Sequence, residues 1–219
     1  MRIVIVAAAL ALATAAPLAT AAEANAAAAA AAPVPAGQYT TDKAHTSLLF
    51  RVDHLGFSHF TGRFTQVDAK LQFDPAHIAV SRLSVDIDPR SISSDNAPSG
   101  FLQALAGAGW LDADHFPQMT FRSQSVEMTG PNTFRIHGEL TLHGVTKPLI
   151  LDARYNGGYA GHPMDPHARV GFSATGSLKR SDFGISFGIP APGTTMGVGD
   201  QVDVVLESEF SGPPLVAQR

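Results

Sequence analysis

Three histidines raise the first question about chemistry. His143 sits inside the stretch GELTLHGVTKPLILDARYN, His137 lies just before it, and His54 ends an apolar stretch near the start of the folded region. Histidine titrates near neutral pH and is the commonest metal ligand. Nine of them in 219 residues therefore bring zinc, haem and proton-transfer chemistry into consideration. The spacing argues against it. No pair has the H-E-x-x-H form, and the His162 and His167 of HPMDPH fall in a Gly/Pro-rich loop rather than on a helix. The chain has no cysteine, which excludes thiolate sites and disulfides. No metal ligand set is assigned.

GISFG, residues 184–188, matches the G-x-S-x-G of a nucleophile elbow. That motif needs a helix after the serine and a histidine later in the chain. Here Pro190, Pro192 and Gly193 follow, and no histidine comes after His167. GAGW, residues 107–110, lacks the third glycine of a dinucleotide turn, and no phosphate loop is present. No catalytic residue is assigned. Arg180 and Asp182 in LKRSDFGISF are different: Arg180 shares the parity of Leu178 and would sit at the end of an inward-facing strand. The two could form an anchor for a polar ligand head, or a surface ion pair of little weight.

The elements that would position these residues are strands. Apolar residues alternate with polar ones at period two in eight stretches. These are Leu48-Phe50-Val52, Val67-Ala69-Leu71-Phe73, Leu83-Val85-Ile87, Met119-Phe121, Phe134-Ile136-Leu140-Leu142, Leu149-Leu151-Ala153-Tyr155, Val170-Phe172-Ala174-Leu178 and Val202-Val204-Leu206. One apolar and one polar face per strand is the pattern of antiparallel sheets. Eight such strands can close as a barrel or pack as a sandwich. His137 and His143 fall on the polar face, with 143–147 as a turn and Pro148 opening the next strand. His54 continues the inward parity, either as a core histidine bonded to backbone or as a polar contact for a ligand. One helix is expected in SGFLQALAGAGWLDADHF, with Ser99 as cap and Gly107 and Gly109 as terminators.

The N-terminus has Arg2, an apolar run from Ile3 to about Ala13, and small residues at Ala19 and Ala21. That is the form of a secretory signal. We expect a signal peptide at 1–22, an Ala/Pro-rich linker at 23–37, a barrel at 38–210 and a tail at 211–219, with a periplasmic or secreted location. The formal charge of −4 is spread without a basic stripe, so no nucleic-acid partner is expected.

Five pieces of the chain, taken together, resemble the YceI-like family of periplasmic polyisoprenoid-binding proteins. They are DKAHTSLLFRVDHLGFSHFTGRF (42–64), HFPQMTFRS (115–123), GELTLHGVTKPLIL (138–151), GFSATGSLKRSDFGI (171–185) and VGDQVDVVLESEF (198–210). The resemblance implies an all-β fold, an eight-stranded antiparallel lipocalin-like barrel with one short helix and an apolar central tunnel. It implies a carrier of an isoprenoid-chain lipid, of quinone or polyprenyl type, or of a fatty amide, without catalysis and with that lipid as its only bound group. The lining would come from the inward faces: Leu48, Phe50, Val52, Leu71, Phe73, Leu83, Val85, Phe121, Phe134, Ile136, Leu140, Leu149, Leu151, Phe172, Leu178, Val202 and Val204. His54, Arg180 and Asp182 are the candidates for the polar head. Segment 97–110 departs from the family pattern, with only Trp110, Leu111 and Asp112 fitting, and is a candidate cap. Transient contact with a membrane or membrane protein, and a homodimer, are further expectations. The competing readings are a His-dependent metal or haem enzyme on the same barrel and a ligand-free structural stress protein.

Overall fold

The computed structural model describes residues 34–162 and 164–215. The expected signal segment 1–22, most of the linker and the last four residues of the chain lie outside them. Ten strands form: β1 (Gly37–His54), β2 (Ser58–Phe64), β3 (Val67–Phe73), β4 (Arg82–Ile87), β5 (Ile92–Ser93), β6 (Met119–Gly130), β7 (Thr133–Leu142), β8 (Val145–Tyr159), β9 (His167–Lys179) and β10 (Val198–Pro214). The single described helix, α1, is Phe101–Ala106. β10 carries the sheet past residue 210, so Ser211–Pro214 belong to the barrel rather than to a tail. No helix among the described residues is long and apolar enough to cross a membrane.

The strands pair antiparallel in the order β10-β9-β8-β7-β6-β4-β3-β1, and β1 pairs back with β10. This is a closed eight-stranded barrel. β2 and β3 share one edge of β1 in succession. β3 pairs with Gly37–Thr40, and β2 pairs with Leu48–His54, after a bulge between Asp42 and Thr46. β5 extends this flap by pairing with β2 through Ile92 and Ser93. Beyond Ile87 and Met119, the last paired residues of β4 and β6, the sheet divides. The segment from Ser94 to Leu111, with α1, lines the interior there.

Two local expectations change. The helix is capped by Gly100 rather than Ser99, because the cap backbone is left-handed at φ 78°, a conformation glycine adopts without strain. The β7–β8 connection is two residues, not five. Leu142 pairs with Val145, and His143 and Gly144 both have positive φ (52° and 74°). That is the backbone of a tight hairpin whose twist matches the strands. Pro148 is therefore inside β8, but β8 pairs with β9 only from Asp152 onward. Proline is tolerable along such an unpaired edge. His143 Nδ1 lies 3.1 Å from the Phe183 carbonyl and its ring lies tilted 4.7 Å from that of Phe116, so it tethers the hairpin to the 3-10 turn that follows β9.

Candidate ligand-binding cavity

The inward faces enclose a cavity of about 690 Å³ at one end of the barrel. Small-molecule sites occupy roughly 300–1,000 Å³ and are mostly apolar. Of the residues expected to line a tunnel, Leu48, Phe50, Val52, Val85, Phe121, Leu140, Leu149, Leu151, Leu178, Val202 and Val204 line this space. Leu71, Phe73, Leu83, Phe134, Ile136 and Phe172 do not reach it. They surround a separate cavity of about 90 Å³ toward the other end. That end is filled by rings: Phe73 and Phe172 lie 5.6 Å apart, Tyr155 and Phe172 5.4 Å, and Phe172 and Phe210 6.1 Å.

The wall also contains residues that strand alternation does not reveal. Phe60 and Phe64 come from β2, where inward Gly62 interrupts the apolar pattern. Phe101 and Leu105 come from α1, and Trp110 and Leu111 from the turn after it, so segment 97–110 forms part of the wall. Phe101 stacks edge-on against Phe60 at 5.5 Å. The i, i+4 spacing of Phe101 and Leu105 was the available signal for a helix with one apolar face.

Arg180 is 4% exposed and lines the cavity. Its Nε donates to Gly199 O (2.8 Å), one Nη to Ile185 O (3.0 Å) and Phe187 O (2.9 Å), and the other to Val198 O (2.8 Å). The Trp110 ring lies 5.1 Å from the guanidinium, within range of a cation–π contact. Burial pushes the guanidinium pKa down, while Asp200 opposes the shift. Arginine stays charged in proteins, and four of its five N–H donors are used here. The result is a buried cation with a remaining donor, in an otherwise apolar wall.

The expected Arg180–Asp182 pair does not form. The chain leaves β9 at Lys179 and enters a short 3-10 turn, Arg180–Phe183, so strand parity ends and Asp182 is exposed outside the cavity. His54 lies at the cavity mouth with Ser58, His59 and Asn96, exposed rather than buried as a core histidine. His137 is on the outer face, 3.7 Å from Glu127. Among the described residues, one group of potential cation ligands converges: Asp42, His45 and Glu209. It lies on the β1–β10 surface, and the Arg169 guanidinium already holds the Asp42 carboxylate.

A closed eight-stranded barrel with a large apolar chamber and, among the described residues, one buried cation defines a small hollow-barrel protein. The chain belongs to the YceI-like family, whose domain model matches residues 39–210. A UPF0312 protein of Vibrio cholerae is 36% identical over 176 residues, covering 80% of this chain and 87% of the relative. Among solved structures, a YceI protein of Campylobacter jejuni is 28% identical with a TM-score of 0.62, over 74% of this chain and 90% of that one. A domain from Saccharophagus degradans, described as polyisoprenoid-binding, shares the fold with a TM-score of 0.57 at 12% identity, over 82% of this chain and all of that one.

Proposed function

We propose that the protein binds and carries an isoprenoid-chain lipid, of quinone or polyprenyl type, or a fatty amide, outside the cytoplasm. The observation that carries this reading is the 690 Å³ apolar cavity with Arg180 set in its wall. Each buried methylene contributes about 0.8 kcal/mol, so a chain filling the cavity can outweigh the cost of association without any further charged group. Arg180 meets an acceptor oxygen on the head group, and His54 lies where a head would emerge. The family, and a neighbour described as a polyisoprenoid-binding domain, support binding rather than catalysis.

Delivery of so insoluble a cargo calls for contact with a membrane. Phe57, Phe187 and Met196 are 80%, 64% and 71% exposed. Their loops are joined near the mouth by Leu55 N–H to Gly197 O (2.8 Å) and Val198 N–H to Gly188 O (2.7 Å). Exposed apolar loop tips with no charged residue between Gly184 and Gly199 suit a lipid interface.

The test is mass spectrometry of an organic extract from purified protein, with metal analysis of the same sample. A stoichiometric lipid supports the carrier. A stoichiometric metal or haem supports an enzyme instead, and neither supports a ligand-free barrel. N-terminal sequencing of the exported protein tests location: the expected start is near Ala22 or Glu23, and retention of Met1 refutes it.

A further inference from the structure

The interior space is unequal along the barrel. The 690 Å³ and 90 Å³ cavities meet at four side chains that line both: Leu48, Val85, Leu151 and Leu206. Leu48 and Leu206 are direct cross-strand partners on β1 and β10. Val85 comes from β4 and Leu151 from β8, so the four are distributed around the barrel and form a waist. Leu48, Val85 and Leu151 are 6%, 5% and 4% exposed and Leu206 is half-buried, so the waist is a packed constriction. Leu151 is seated against Gly176: a Cβ there would lie 2.7 Å from Leu151 Cδ2.

A chain entering from the mouth meets this waist end-on. Passing it requires several packed side chains to leave their rotamer wells together. We propose that Leu48, Val85, Leu151 and Leu206 set the length of apolar chain the protein accepts, the head staying beside Arg180 and the tail ending at the waist. This rests on the lipid-binding reading and narrows its ligand class to chains that end inside the upper chamber. Every methylene that still fits adds affinity. The first that must intrude on the waist adds none, because overpacking opposes it.

The experiment uses a homologous series with one head group: geraniol, farnesol, geranylgeraniol and solanesol. Trp110 is the only tryptophan and lines the cavity, so its fluorescence reports binding. In the parent protein affinity should rise along the series and then stop. Leu151→Ala and Leu206→Ala should each move the stop to a longer alcohol, with about a tenfold gain for it, as two more buried methylenes would give. Phe134→Leu enlarges the small cavity without touching the waist and should leave the stop where it is. Leu206 is only half-buried, so its variant carries the test if Leu151→Ala does not fold. Folded waist variants that keep the parent's order of preference overturn the inference. So does a parent affinity that climbs uninterrupted to solanesol. A parent that binds no member of the series is a separate failure: it overturns the lipid-binding reading itself.

Discussion

Phe50 lies across Gly62. The two are cross-strand partners on β1 and β2, and a Cβ at position 62 would stand 2.4 Å from the Phe50 Cζ. The glycine lets the ring lie back toward the barrel wall, as glycine inside a strand does where another group approaches closely. The same relation recurs at Gly138, where a Cβ would be 2.5 Å from the Phe121 Cζ. Both rings line the large cavity, so these glycines hold space open. Gly62→Ala should swing the Phe50 ring inward. Lipid retained per chain should fall while the melting temperature shifts by only a few degrees, and Phe50→Leu in the same chain should restore retention. Unchanged lipid content in Gly62→Ala would refute this role.

Phe50 and Phe172 share the same inward parity, yet they should respond oppositely to enlargement. Phe50→Trp has a chamber to enter and should cost lipid capacity rather than stability. Phe172 is wedged among Phe73, Tyr155 and Phe210. Phe172→Trp should be overpacked by roughly 1–3 kcal/mol. Urea denaturation of delipidated protein reads the difference, and equal losses in both variants would count against the chamber.

Arg180 should matter to the fold before it matters to any ligand. Its four carbonyl acceptors converge from the 185–187 and 198–199 segments. Each buried carbonyl left without a donor costs about 1–3 kcal/mol. Arg180→Met should therefore lower stability by at least ~3 kcal/mol. Arg180→Lys should recover little of it, because one ammonium cannot reach acceptors arranged for a planar fork. A denaturation midpoint within error of the parent would show that the carbonyls find other donors.

The Asp42 carboxyl is held down at about 2, chiefly by the Arg169 guanidinium and then by His45. A carboxyl depressed in the folded state stabilises above its unfolded value, near 3.9, and that contribution is lost as pH falls toward the folded value. Acid titration should thus show stability falling between about pH 4 and pH 2. Arg169→Met should flatten that part of the curve and lower stability near neutrality. Superimposable acid limbs would remove the pair from the account.

The eight barrel strands are legible because each keeps one solvated face, so the period of two survives in the sequence. β2 escapes because Gly62 occupies an inward position, and β5 because two residues carry no period. Arg180 is legible from its parity with Leu178. Asp182 misleads because the backbone turns into a 3-10 conformation between them. The waist has no local signature at all. Leu48, Val85, Leu151 and Leu206 come to one level only through strand stagger, which the sequence of any one strand does not encode.

The closing of the barrel also governs when the chain can fold. Its final seam joins Leu48 to Leu206 and Thr40 to Ser211, residues from the first and last described strands. Such long-range pairing must meet its loop-closure entropy before any contact repays it, which makes folding slow. A nascent chain that lacks β10 has both β1 and β9 exposed as bare edges, open to pairing with other chains. The barrel is thus completed only once β10 has been made, and until then its two open edges are where pairing between chains would begin.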